Sequence, residues 1–146
     1  MTPFLLDPVD LTACNVLNAT NHEVRRIDGV EAGSFFGGGS ISLTCGNASF
    51  GYRHIRDRHE ADWRSRLTQA GTPTASWDDY MFYVSMLTLV DPDTIVGQGD
   101  GKLCYTTYIV MVDDNWVPVV EYRPSVVIST NNRWMITSFP GGACRQ

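Results

Sequence analysis

The chain has 146 residues and a net charge of −5, and 43% of its residues are apolar against 18% charged. This length suffices for one hydrophobic core, and the composition excludes disorder of the whole chain. The longest apolar stretch, residues 80–90, is too short and too polar to cross the roughly 30 Å of a bilayer core, and the negative charge excludes a basic field over the whole surface.

The N-terminal sequence has neither the basic start nor the long apolar run of a signal peptide. We therefore expect either an intracellular protein or a piece separated from its export region. The four cysteines, Cys14, Cys45, Cys104 and Cys144, form no Cys-x-x-Cys pair and have no histidine at zinc-finger spacing, so we expect no structural zinc. Both two disulfides and buried free thiols fit the sequence, and the pairing stays open.

The first part of the chain is predicted to be irregular apart from one short helix and one short strand. Pro8 and Asp10 favour a helix start ahead of residues 11–17. Alternation of apolar and hydroxyl side chains over residues 41–45 favours a strand that follows a glycine-rich loop.

Two segments in the middle of the chain predict regular elements. The first predicts a helix over residues 52–67 with Asn47 or Ser49 as its cap. At 100° per residue, this helix has an apolar stripe and an adjoining polar flank. The stripe consists of Tyr52, Ile55, His59, Trp63 and Leu67, and the flank of His54, Arg58, Ala61 and Ser65. The second segment, residues 77–89, fits a helix or a buried strand.

The last part of the chain predicts two β-hairpins. One pairs residues 103–112 with 116–122, and the other pairs residues 126–130 with 134–139. The predicted fold class is therefore α+β, with N-terminal helices packed on a four- to five-stranded antiparallel sheet.

Residues 51–59 are the most unusual segment, because they hold two of the three histidines, His54 and His59, interleaved with three arginines. Imidazole can accept or release a proton near neutral pH, and the planar guanidinium of arginine matches phosphate oxygens. Cleavage of a phosphodiester without a metal needs a base for the 2′-hydroxyl, an acid for the leaving oxygen and a cation for the developing charge. The segment offers all three groups.

Structural roles are the alternative for both histidines. His59 lies within the apolar stripe, as a core histidine would, and the flank of His54 and Arg58 also fits a solvated helix face. Five residues apart on a helix, the histidines project about 140° from each other. We therefore expect them not to flank one phosphate unless the helix begins or breaks between them.

Residues 133–140 are the second candidate segment, a predicted strand that carries Thr137 and Ser138 where it ends. Hydroxyl groups at a strand end can donate to a phosphate oxygen. Threonine is also common in strands for its β-propensity alone, so both interpretations stay open.

Together the two segments resemble a known family. The motif Gly-aromatic-x-His-Ile-x-x-Arg-His at 51–59, followed by a hairpin sheet that ends in Ile-Thr-Ser-Phe-Pro at 136–140, is similar to toxin nucleases of the barnase, EndoU, colicin and RelE-like superfamily. Many of these are C-terminal domains of bacterial contact-dependent or polymorphic toxins. The similarity covers roughly residues 50–140.

The resemblance implies a metal-independent endoribonuclease that needs no cofactor, acts on RNA, often tRNA, and leaves a 2′,3′-cyclic phosphate. His54 and His59 match the motif histidines. Arg58 matches the arginine before the second histidine, and Thr137 matches the threonine of the last strand. Phe139 stands where the family usually has tyrosine, which leaves stacking on a base as its role. The other expected substrate contacts are Arg53, Arg56, Arg123 and Ser138.

The resemblance also implies an organisation and a partner. A nuclease domain over residues 49–146 would follow a linker or packing segment over residues 1–48, as part of a larger exported protein that acts in the cytoplasm of a target cell. A cognate immunity protein would cover the surface between Arg53 and Arg66 through acidic groups.

The alternative function belongs to another class. A secreted, disulfide-bonded binding domain without catalysis would present hairpin aromatics such as Trp116 and Tyr122 to a protein or a glycan. In that case the histidines are structural.

Overall fold

The structure, a computed structural model, describes residues 5–32 and 36–144. Within these residues the helices are α1 (Pro8–Asn15), α2 (Gly51–Gln69) and α3 (Trp77–Val90). The strands are β1 (Glu23–Gly29), β2 (Gly39–Thr44), β3 (Thr94–Gly99), β4 (Lys102–Thr106), β5 (Ile109–Val112), β6 (Pro118–Tyr122), β7 (Ser125–Ser129) and β8 (Trp134–Phe139). The predicted α+β class is confirmed.

The main sheet is mixed rather than antiparallel. Its six described strands have the order β1-β2-β8-β7-β4-β3, and β5 and β6 form a separate two-stranded sheet. The β2 and β8 strands run parallel and meet through the pair Ser42 and Trp134, whereas the other neighbours are antiparallel. The prediction of a purely antiparallel sheet was wrong, because the parallel pair joins segments that are distant in the sequence.

The prediction placed the helices N-terminal to the strands, but in the structure β1 and β2 precede α2 and α3. The segment before residue 48, for which a linker or packing role was expected, contributes α1 and two strands of the main sheet. The β1 strand has a register irregularity between Glu23 and Arg25, so its buried residues Val24 and Ile27 do not alternate regularly. This irregularity removed the period of two by which a strand is recognised.

The predicted strand over residues 103–112 is broken in the structure. The chain leaves the main sheet after Thr106, forms the β5–β6 hairpin, and returns as β7 to pair with β4. The β3 strand, absent from the prediction, covers the outer edge of β4 and contains Gly97 and Gly99, which are poor strand formers.

The α2 and α3 helices contribute to the main core together with the sheet. The largest fully buried side chains include Trp63, Ile55, Met81, Leu89, Ile41, Leu43, Ile128 and Met135. A smaller cluster of Cys104, Val127 and Cys144 is separate from this core. In the described residues, no helix combines the length and the apolar character that a membrane span needs.

All four cysteines are paired. One disulfide joins Cys14 of α1 to Cys45 after β2, and the other joins Cys104 of β4 to Cys144 after β8. The bonded cysteines are 31 and 40 residues apart, and a disulfide that closes such a loop typically contributes about 2–4 kcal/mol to stability. Paired cysteines are typical of proteins that pass through oxidising compartments.

A tight turn of glycines sets the start of α2. Gly46 and Gly51 have φ values of 66° and 79°, and a Cβ atom on Gly46 would lie 1.9 Å from the carbonyl oxygen of Phe50. The predicted side-chain cap was wrong: the N-cap residue is Phe50, which makes no side-chain cap bond, while Asn47 accepts from the amide of Ser49. Only a residue without a Cβ fits this turn unchanged.

Gly46→Ala is expected to destabilise the protein more than Gly71→Ala. Both positions have positive φ, which costs an L residue about 1–2 kcal/mol. A methyl carbon added at Gly71 would have no atom within 4 Å, whereas one added at Gly46 would overlap the carbonyl oxygen of Phe50. Urea unfolding measures both losses, and equal losses would contradict this account of the turn.

Candidate active site

The α2 helix and the β8 strand lie side by side and run in the same direction. Near their starts, the ring of Phe50 stacks on Trp134 with centroids 4.0 Å apart. Further along, the ring of His59 stacks on Phe139 at 4.8 Å. The two stacks hold the helix and the strand in one fixed relative position.

This parallel arrangement places His54 level with Thr137. His54 lies five residues before His59, which is about 7.5 Å along a helix axis. Thr137 lies two residues before Phe139 on the same face of the strand, about 7 Å back. Because His59 and Phe139 are in contact, His54 and Thr137 come to about the same height along the helix and the strand, and we call the space between these two elements the groove.

The two histidines converge, and the expectation that they diverge was wrong. Their ring centroids lie 6.1 Å apart in an edge-to-face arrangement. Side chains on a helix lean toward its N-terminus, which brings the ring of His59 back toward His54. The angular projection ignored this lean and the length of the side chains. A core role for His59 also does not hold, because 21% of its side chain is exposed.

Both imidazoles are held by their Nδ1 atoms. The Nδ1 atom of His54 lies 2.8 Å from the carbonyl oxygen of Ala48, which can only accept, so this nitrogen carries the proton. The Nδ1 atom of His59 lies 3.0 Å from Oδ2 of Asp62. In the described part of the chain, neither Nε2 atom has a hydrogen-bond partner. Each ring thus keeps one nitrogen for another molecule.

Asp62 is a site residue that the sequence reasoning missed. It lies three residues after His59, at a spacing that brings helical side chains into contact. A carboxylate beside Nδ1 orients the ring and stabilises a positive charge on it. The His-x-x-Asp spacing within α2 was the signal that could have revealed this pair.

The two hydroxyls of β8 have different environments. The Oγ1 atom of Thr137 is buried and has no hydrogen-bond partner, a condition that it shares, among the described side chains, with the hydroxyls of Thr44 and Thr106 and with Nε of Arg53. Ser138 is fully buried and faces the core instead, where its Oγ lies 2.7 Å from Oγ of Ser85. Ser138 therefore does not reach the groove, and the predicted substrate contact has no support.

Among the predicted arginines, Arg58 is the one that fits the site. It lies one helical turn after His54, is exposed, and makes no hydrogen bond or ion pair within the described residues. Arg53 donates to the Gly46 carbonyl at 3.4 Å, and Arg56 pairs with Asp57 at 3.1 Å and bonds to Asn15. These two guanidinium groups are held by the protein itself.

Arg123 is held by contacts outside the two candidate segments. Its guanidinium pairs with Asp93 at 2.6 Å and lies 5.5 Å from the centre of the Tyr108 ring. The preceding residue, Tyr122, is 6.5 Å from Trp63, toward the other end of α2 from His54. The Arg123 guanidinium is engaged by Asp93 in the structure, and the predicted phosphate contact stays a prediction.

The aromatics of the hairpin differ in exposure. Trp116 is 83% exposed, but Tyr122 is 7% exposed and its hydroxyl bonds to that of Tyr80. Burial, with a contribution from this hydrogen bond, raises the pKa of Tyr122 above its usual range. Tyr122 is therefore part of the core, and the expectation that it is presented to a partner was wrong.

No protein-family model matches the chain, and no curated protein matches its sequence. A function for the groove must therefore be argued from its side chains.

Thr137→Val is expected to leave the free energy of unfolding unchanged or to raise it by about 1 kcal/mol, because valine keeps the shape and removes a buried hydroxyl without a partner. Thr106→Val is the matched control, since it has the same unpaired hydroxyl on β4. Urea unfolding compares them. A clear loss of stability for Thr137→Val alone would mean that its hydroxyl is bonded within the protein.

Proposed function

We propose that the protein is an endoribonuclease in which His54 and His59 act as a base and acid pair. The observation that carries this proposal is the anchoring of both Nδ1 atoms, which leaves two Nε2 atoms free on rings 6.1 Å apart. General acid–base catalysis requires two such groups on either side of one reacting centre.

The partners of the two rings suggest which is the base. The carbonyl of Ala48 holds the tautomer of His54 whose Nε2 has a free lone pair, as a base needs. Oδ2 of Asp62 accepts from Nδ1 of His59 and orients the ring so that an N–H at Nε2 can point to the leaving oxygen, as an acid needs. We therefore assign His54 as the base and His59 as the acid.

The reaction follows from these roles. Nε2 of His54 takes the proton of the 2′-hydroxyl, and the 2′-oxygen attacks phosphorus. The bond between phosphorus and the 5′-oxygen breaks, and Nε2 of His59 gives its proton to that oxygen. The products are a 2′,3′-cyclic phosphate and a free 5′-hydroxyl. Neither step requires a cofactor.

Thr137 and Arg58 are proposed to stabilise the charge that develops on the phosphate. The exposed guanidinium of Arg58 can pair with a non-bridging oxygen, and the unpaired Oγ1 of Thr137, which is buried in this structure, would donate to the same group after a change of its side-chain position. A donor that has no partner in the free protein is available to the transition state, and it favours catalysis at some cost to stability.

The disulfides bear on the biological setting. The two disulfides are compatible with passage through an oxidising compartment, in line with a domain of a larger exported toxin that acts on RNA, such as tRNA, in the cytoplasm of a target cell. An immunity protein would then cover the outward flank of α2 at Arg58 with acidic groups.

A binding domain without catalysis is the second candidate. The hairpin exposes Trp116 (83%), Val117 (52%) and Val119 (42%), and exposed apolar surface of this kind often marks an interaction site. Incubation of the purified protein with RNA separates the two candidates, because a binding domain leaves the RNA whole.

His54→Ala and His59→Ala are each expected to lower the rate of RNA cleavage by about 10²–10⁴-fold in the presence of a chelator, since each removes one proton-transfer group. Asp62→Asn should cause a smaller loss, because it changes only the partner of His59. Gel assays give the rates, and mass spectrometry identifies the cyclic phosphate. An unchanged rate for His54→Ala would remove this residue from the mechanism.

Arg58→Ala is expected to lower the cleavage rate, whereas Arg64→Ala should leave it unchanged. Both arginines are exposed on α2, but Arg64 pairs with Glu60 at 2.7 Å and Arg58 has no such partner within the described residues. Rates measured over a series of salt concentrations test the phosphate contact, since losing it should weaken the salt dependence. Equal effects of the two variants would argue against a specific role for Arg58.

A further inference from the structure

A pocket lies next to His59, beyond the stack with Phe139. Its volume is about 300 Å³, at the lower end of the range for small-molecule sites. The lining residues are Asp62, Ser65, Arg66, Gln69, Phe139, Pro140 and Gly141. The pocket therefore continues the groove of the candidate site toward the end of α2.

The wall of this pocket combines a flat ring with fixed and free polar groups. Phe139 provides the ring. Arg66 is fixed, because its Nη2 donates to the Pro140 carbonyl at 2.8 Å and its guanidinium lies 4.9 Å from the centre of the Tyr122 ring. The Nη1 atom of Arg66 also contacts Oε1 of Gln69 at 3.5 Å, which leaves the amide nitrogen of Gln69 as a donor.

We infer that this pocket binds the nucleobase of the leaving nucleoside, and that guanine fits it best. The inference rests on the proposed function, because the role of His59 sets the direction of the RNA. His59 gives its proton to the 5′-oxygen that leaves, so the nucleoside attached to that oxygen lies on the His59 side. The RNA then runs 5′ to 3′ from the start of α2 toward its end.

The polar groups of the wall favour guanine over uracil. Asp62 bonds to His59 through Oδ2, which leaves Oδ1 as an acceptor. Guanine offers two adjacent N–H donors on its Watson–Crick edge, which match a carboxylate, next to an oxygen that can accept from Gln69. Uracil offers one N–H between two carbonyl oxygens, which a carboxylate repels. Stacking on Phe139 adds affinity for any base.

Binding of two dinucleotides with the same composition tests the pocket and the direction together. One has adenosine followed by guanosine and the other has the reverse order, and each carries 2′-deoxyribose on its first nucleoside so that no attack can occur. NMR titration of the intact protein gives both dissociation constants. We expect the dinucleotide with guanosine second to bind about tenfold tighter or more.

Variants of pocket residues test whether the preference for guanosine in second place comes from this pocket. Gln69→Ala should reduce it, Phe139→Leu should weaken binding of both dinucleotides, and Arg64→Ala, on the same helix outside the pocket, should retain both the affinity and the preference. Equal affinity of the wild-type protein for the two dinucleotides, or an undiminished preference in Gln69→Ala, would overturn the inference. If the preference is found but RNA stays whole, the proposed nuclease function fails while the base pocket stands. If RNA is cleaved without a preference, the pocket assignment fails alone.

Discussion

The packing of α2 along β8 is the interaction on which the rest of the molecule depends. The indole nitrogen of Trp63 donates to the carbonyl oxygen of Ser138 at 3.0 Å in the buried interior, which fixes how far the helix lies along the strand. A buried bond of this kind leaves no alternative position without an unpaired polar group. The groove with His54 and His59 is a direct result, because one wall is the helix and the other is the strand.

The two imidazoles are similar side chains that the fold places in different surroundings. A backbone carbonyl holds His54, and a carboxylate holds His59. The difference comes from local backbone geometry: the loop before α2 returns far enough to bring Ala48 over the first turn, while Asp62 comes from the helix itself. In the proposed mechanism, these two groups of one residue type perform opposite steps of proton transfer.

Much of the central helix could be predicted from the sequence, because an apolar stripe of period 3.6 is a local property. The contact between His54 and His59 could not be predicted from angular spacing alone, since it depends on side-chain lean and on the stack with Phe139. The position of Arg123 depended on where the chain leaves the sheet after Thr106. Pairing of β2 with β8 also escaped prediction, because strands distant in sequence carry no local mark of their partner.

The pairing of early strands with the final one also has a temporal consequence. A chain that emerges from the ribosome presents α2 long before β8 exists, so its histidines have no opposite wall until the last strand has been synthesised. Contacts between such distant segments also slow folding. The candidate site is therefore assembled only once β8 has been synthesised, and a nascent chain that ends before β8 carries the histidines without their opposite wall.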